Sequence, residues 1–201
     1  MGGTGGSVDA GADSSPVEAS STHDAALECG NFSLGPAASV PVSTVTGSPP
    51  AEPTGGTIAS GVYILTNSTV YAVSPQCGAS EFPTAANTAV FDFAADSPTS
   101  GMARAGVINA NGQSTFITYS YTTKGTSLIL LGLCITSNGS TTTFDAPIET
   151  FPTSYSVTPT GLTFYSYRAG ANGDGGVITH DGPPASGEFV CEAKTQVYAK
   201  Q

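Results

Sequence analysis

Tryptophan is absent from this chain of 201 residues, and positive charge is scarce, with 5 Lys and Arg against 15 Asp and Glu and a formal net charge of -10. The five bases, Arg104, Lys124, Arg168, Lys194 and Lys200, are scattered. A phosphate footprint needs clustered Lys and Arg, so nucleic acid and anionic membrane surfaces are excluded as partners. Histidine, the usual proton shuttle near neutral pH, occurs only at His23 and His180. No Cys-x-x-Cys pair is present, which removes zinc-ribbon and thioredoxin-like chemistry; no metal or cofactor is expected. No apolar run reaches the roughly 18 residues of a membrane span. Nor do apolar residues recur at i, i+3, i+4, i+7 over a helix length, so helix content should be small.

What remains is 39% hydrophobic and only 10% charged, with 25 glycines and abundant Ser and Thr. An ordinary soluble domain carries roughly 25% charge, and this mixture suits an extracellular β-protein better than a helical enzyme. Ahead of residue 57 stand six acids, Asp9, Asp13, Glu18, Asp24, Glu28 and Glu52, and no base. Low hydrophobicity with one-signed charge keeps a chain solvated, and Pro punctuates the stretch from Val40 to Pro53. Residues 1–54 are therefore expected to be a flexible Gly/Ser/Pro-rich tether, and residues 55–201 a folded domain. Met1 is followed by Gly-Gly-Thr-Gly-Gly, without the basic and apolar regions of a signal peptide.

The four cysteines, Cys29, Cys77, Cys134 and Cys191, are far apart and even in number. They read as two disulfides formed in an oxidising compartment, which implies a secretory signal already removed. Three connectivities are open; Cys77 and Cys134 both lie in strand-rich sequence, so that pair is favoured and Cys29–Cys191 is left.

From Gly56 onward strand signals come regularly. Gly61 to Val73 bears a bend or bulge at Asn67-Ser68, and Thr88 to Ala94 puts Phe91 and Phe93 on one face with Val90 and Asp92 on the other. Asn109 to Gly112, Lys124-Gly-Thr126, Ser137-Asn-Gly-Ser140 and Pro159-Thr-Gly161 read as turns. Ser127 to Thr136 is apolar on both faces and should be central. Gly187 to Lys200 alternates cleanly, with Cys191, Ala193, Thr195 and Val197 expected inside and Glu188, Glu192, Lys194 and Gln196 outside. Sequential hairpins without a long crossover point to an all-β domain: one antiparallel up-and-down barrel of about eight strands, with a β-sandwich as alternative. Its last strand should pair with its first, leaving no edge.

Candidate chemistry is sparse. His180-Asp181 offers two-thirds of a hydrolytic triad without a nucleophile elbow. Asn172-Gly-Asp-Gly-Gly176 has part of a calcium loop but not its spaced acids. Asp92, Asp145 and Glu149 are the carboxylates available for a facing pair. Tyr119, Tyr121, Tyr165 and Tyr167 alternate along two strands and, pointing into a barrel mouth, would stack on a flat or glycan ligand.

The string from Gly55 to Tyr71, the later Gly125-Thr-Ser-Leu-Ile-Leu130, Cys134 and the ending Val197-Tyr-Ala-Lys-Gln201 resemble a group of uncharacterised myxobacterial secreted proteins and lipoproteins. The resemblance implies a lipocalin-like eight-stranded barrel held on the cell envelope through a lipidated N-terminus. Tyr63 stands where the lipocalin Gly-x-Trp motif has its Trp, and the resemblance carries no catalytic residues. The expectation is a monomeric, non-enzymatic secreted or envelope module that binds a small apolar or glycan ligand, or a protein partner, through an open end. A filled structural surface domain is the alternative, and a hydrolase using His180 the third reading.

Overall fold

The structure is a computed structural model that describes residues 28–74, 82, 85–149, 153–171, 177–180 and 188–201. Every regular element among them is a strand. In chain order these are β1 (Val42–Thr46), β2 (Gly61–Ala72), β3 (Thr88–Ser97), β4 (Ser100–Ile108), β5 (Ser114–Lys124), β6 (Ser127–Ser137), β7 (Ser140–Glu149), β8 (Thr153–Thr158), β9 (Gly161–Ala171), β10 (Val177–His180) and β11 (Glu188–Lys200). They form a single sheet that closes in a ring, β2-β11-β9-β8-β6-β5-β4-β3 and back to β2. The pairing of last strand with first is as the alternation required.

Local chemistry sets the corners. Asn138 and Gly139 both have positive φ, 49° and 84°, as a two-residue hairpin turn demands, and they join β6 to β7. Between β4 and β5 the Asn109 side-chain oxygen accepts from the backbone N–H of Asn111 and of Gln113, both at 3.0 Å. In β2 the register against β11 slips one residue, passing from Leu65 to Asn67, a bulge beside the expected position.

The ring is sewn unevenly. β3, β4, β5 and β6 run against one another along nearly their whole lengths, and β11 does so with β2 and β9. Two seams join these halves, and both are short: Gly61 to Ile64 against Phe93 to Val90, and Ser127 and Leu128 against Ser154 and Thr153. Beyond the first seam β2 takes β1 as a parallel neighbour; beyond the second β6 turns to β7, and β9 to β10. The molecule is thus closed at one end and parted at the other.

All eight ring strands send side chains inward to one core, in which Tyr63, Phe93, Tyr121, Leu128, Tyr155 and Leu162 are almost fully buried. At the closed end Thr54 to Ser60 crosses beneath them and Ile58 inserts. The Tyr63 hydroxyl donates to the Ala59 carbonyl at 2.8 Å and the Tyr155 hydroxyl to the Gly56 carbonyl at 2.6 Å, so these buried phenols are satisfied by the plug. Gly55 has φ +69°, and a Cβ there would collide with the Gly125 carbonyl, so only glycine lets the plug pass.

Residues 28–54, assigned from composition to the tether, are laid against this sheet. Glu28 to Leu34 crosses the outer face of β4, β5 and β6: Phe32 packs edge-on against Phe116, Leu34 sits over Gly106, and the Thr118 hydroxyl donates to the Glu28 carbonyl. Val40 then bridges to Asn87, β1 extends the sheet beside β2, and Thr54 and Gly55 bond β8. Acid residues and prolines kept this segment from forming its own core, but not from binding a ready-made one.

The strap overturns the favoured disulfide pairing. Cys29 is bonded to Cys134, not to Cys191, and Cys134 is therefore not joined to Cys77. Cys134 faces outward on β6 beside Thr118, on the face that the strap crosses. Cys191 is also disulfide-bonded, and Cys77 lies outside the described residues. A disulfide and the lack, among the described residues, of any helix long and apolar enough to cross a membrane are compatible with an oxidising extracellular setting.

The final strand inverts the expected faces. Tyr198 is in the core and Gln196 lines the interior, so Glu192 and Lys194, in the same alternation, also face inward. Ala193 and Thr195 point outward and are buried nonetheless, Ala193 in a second cluster with Tyr165, Tyr167, Tyr71 and Val190.

Candidate ligand-binding site

The interior is filled only at the plugged end. Toward the parted end lies a cavity of about 290 Å³, about twice the roughly 150 Å³ that holds benzene in an engineered core. Its floor and walls are apolar: Phe91 from β3, Ala105 from β4, Tyr119 from β5, Leu130 from β6, Phe164 from β9 and Tyr198 from β11. Phe91, Phe164 and Tyr198 form a mutual edge-to-face trio, with centroids 5.1 to 5.5 Å apart. Three aromatic rings locking one another leave little freedom to collapse into the space, so the cavity persists.

A polar rim sits above this floor, made by Asn87, Thr115, Thr153, Ser166 and Gln196. Asn87 Oδ1 is buried with no hydrogen-bond partner among the described residues, and so is the hydroxyl of Ser68, which lies opposite Gln196. Such groups cost about 1–3 kcal/mol each when left unpaired. One orphan in the rim and a second opposite a rim residue mark a place where a ligand's polar end can be received.

Above the rim on the same face comes Lys194, opposite Ser166 and Val70, and then the ion pair Arg168–Glu192, at 2.9 Å with side chains only 5% and 6% exposed. Burial lowers the Lys194 pKa. Burial pushes Tyr119 up to about 12 and Tyr198 upward as well, so both phenols stay neutral at any physiological pH. Among the described residues that line the cavity there is no His, Asp, Glu or Cys.

The four tyrosines proposed as one ligand platform are split by the wall of the ring. Tyr119 and Tyr121 point inward; Tyr119 lines the cavity, while Tyr121 belongs to the packed end against Phe93. Tyr165 and Tyr167 are on the outer face, in the second cluster. Strands β5 and β9 have the same alternation but opposite phase, and phase depends on which neighbours they meet. Phe91, Phe164, Gln196 and Tyr198 line the cavity without having stood out in the sequence as site residues; aromatic residues recurring two positions apart are the signal for Phe91, which alternates with Phe93, and nothing local marks Gln196.

The other candidates scatter. Asp92 faces outward and holds Arg104 at 2.6 Å, and Asp145 is exposed on β7; neither lines the cavity. The backbone of His180 pairs with Tyr167, while Asp181, His23 and the Asn172 to Gly176 loop lie outside the described residues. Among the described residues no three of His, Cys, Asp and Glu gather as metal ligands would. No protein-family model matches this chain, and comparison with curated proteins and with solved structures finds no match.

Proposed function

We propose that this domain is a non-enzymatic binding module of the secreted or cell-envelope kind, a small lipocalin-like barrel that takes one small apolar ligand into the open half of its interior. The observation that carries the reading is the cavity of about 290 Å³ with its aromatic floor and polar rim. Its volume stands at the lower end of the roughly 300–1,000 Å³ typical of ligand pockets, so the ligand is small. An apolar molecule is favoured over a glycan because the rings are recessed and edge-locked, not presented flat to solvent. A disulfide-tied strap and a scarcity of charge suit life outside the cytoplasm, and the resemblance to envelope lipoproteins adds an N-terminal anchor to the proposal.

The test is thermal shift against small aliphatic, aromatic and sugar compounds. A ligand at about 100 times its Kd stabilises by about 2.7 kcal/mol, which raises Tm by roughly 5–10 °C for a domain of this size. Apolar compounds should give that response and sugars none. Ala105→Phe fills the cavity from the β4 wall and should abolish it while the fold is kept. No response to any compound, or a response that survives Ala105→Phe, would leave the alternative of a structural surface domain, for which the fully packed plugged end speaks.

A further inference from the structure

We infer that the ligand is an acidic amphiphile, a small apolar body bearing one carboxylate, and that Lys194 receives the carboxylate at the cavity mouth. This rests on the binding reading above and adds the chemical class of the ligand to it.

The inference starts from where the positive charge is. Of the five bases, Arg104 is taken up by Asp92 on the outer face and Arg168 by Glu192. Lys200 lies over the Tyr63 ring at the plugged end, and Lys124 closes the turn between β5 and β6. Lys194 alone faces inward beside the cavity with no acidic partner among the described residues. It is in register with Ser166 and two residues from Gln196, both of which line the cavity, so it stands next to them on the same inward face.

Its position is costly without a counter-ion. A half-buried ammonium loses hydration, and the nearest acid along its own strand, Glu192, is engaged by Arg168. In a chain with a net charge of -10 a non-specific anion is repelled, so one held here is held by local contacts. The unpaired Ser68 hydroxyl, inward-facing opposite Gln196, can donate to a carboxylate oxygen, whereas the unpaired Asn87 Oδ1 is an acceptor and offers a carboxylate nothing. Below them the floor is mainly aromatic and aliphatic, with the neutral phenols of Tyr119 and Tyr198 among its rings. The sequence of environments from floor to lip, apolar, then polar, then cationic, is that of a short-chain or aromatic acid standing upright.

Decanoate and 1-decanol share one body and differ at the head, and titrating both into the full chain by calorimetry separates the claims. Wild type should bind decanoate at least about tenfold tighter than decanol, the factor that one charge-assisted hydrogen bond supplies. Lys194→Met should erase the preference while decanol binding stays, and Lys194→Arg should retain it; near-UV circular dichroism checks that each variant keeps the native tyrosine packing. Equal affinities in wild type, or an undiminished preference in Lys194→Met, would overturn the acidic head group and leave the apolar site standing. Failure of both compounds to bind would remove both readings together.

Discussion

Severing Cys29 from Cys134 should release the strap before it opens the ring. The bond closes a loop with a sequence separation of 105, and cross-linking a loop of about 100 residues stabilises by about 4.7 kcal/mol in the chain-entropy account. Against this stand the strap's other holds. The Phe32–Phe116 pair, centroids 5.4 Å apart, contributes about 0.5–1.5 kcal/mol. The Arg104 guanidinium 4.8 Å over the Phe32 ring contributes about 0.5–1 kcal/mol. Phe32 and Leu34 are only half-buried, each worth about 1 kcal/mol of the roughly 1.5–3 expected for full burial. Keeping the backbone from Gly30 to Ser39 ordered costs about 1 kcal/mol per residue, which exceeds those contacts together.

The Cys29→Ser/Cys134→Ala variant therefore lets the strap detach in the native state. Alanine is chosen at 134 because that side chain is 1% exposed and a hydroxyl would be buried there. Detachment returns part of the lost entropy to the native state, so the stability loss in urea should be about 2–4 kcal/mol, below the full loop term. The decisive assay is chymotryptic cleavage after Phe32, which should become rapid while cleavage at the core residues Tyr119 and Tyr121 stays slow. An unaltered cleavage rate at Phe32, or loss of the strap and the ring in one transition, would refute the reasoning.

Alkaline pH should unfold the domain. Burial raises Tyr119 to about 12, burial followed by the nearby Asp96 raises Tyr121 to about 12, and burial followed by Tyr165 and Glu52 does so for Tyr167. An unfolded tyrosine ionises near 10, so between pH 10 and pH 12 the unfolded chain sheds protons that the native one keeps, and stability falls by about 1.4 kcal/mol per pH unit for each phenol. Lys194 has the opposite sign: its lowered pKa is a native-state penalty that is relieved as pH rises toward 10.5, too small to offset several phenols. Urea midpoints with phenolate absorbance across this range check the slope, and a flat profile above pH 10 would contradict the burial of these rings. At the ion pair, Glu192→Ala should cost about 3–5 kcal/mol, a fall of roughly 6–20 °C in Tm, by leaving Arg168 charged and buried. Arg168→Met/Glu192→Leu should restore most of it; equal losses in the single and double variants would show that the pair is not the source.

The alternation of the last strand was plain in the sequence, yet its inward face was assigned backwards, and the reason reaches the site itself. A rule that sends polar residues outward assumes a single apolar interior and a wet exterior. Here Ala193 and Thr195 are buried on the outer wall, Ala193 in a cluster with Tyr165, Tyr167, Tyr71 and Val190, so outward-facing residues of β9 and β11 need not be wet. The parted end makes the interior polar, so Gln196, Lys194 and Glu192 can be hydrophilic on the inside. Turns, strand spacing and the Phe91 and Phe93 face were legible because each depends on local sequence, and the pairing of β2 with β11 because a run of sequential hairpins that leaves no edge must join its ends. The phase of each strand, the partner of Cys29 and the cavity were not, because they depend on contacts between segments far apart in the chain. A cation turned inward on the strand that also carries the core residue Tyr198 is a conflict between local pattern and fold, and such conflicts concentrate where a chain does something besides fold. By that reasoning Lys194, and not any of the four tyrosines first singled out, is the residue whose replacement should alter binding while leaving the sheet unchanged.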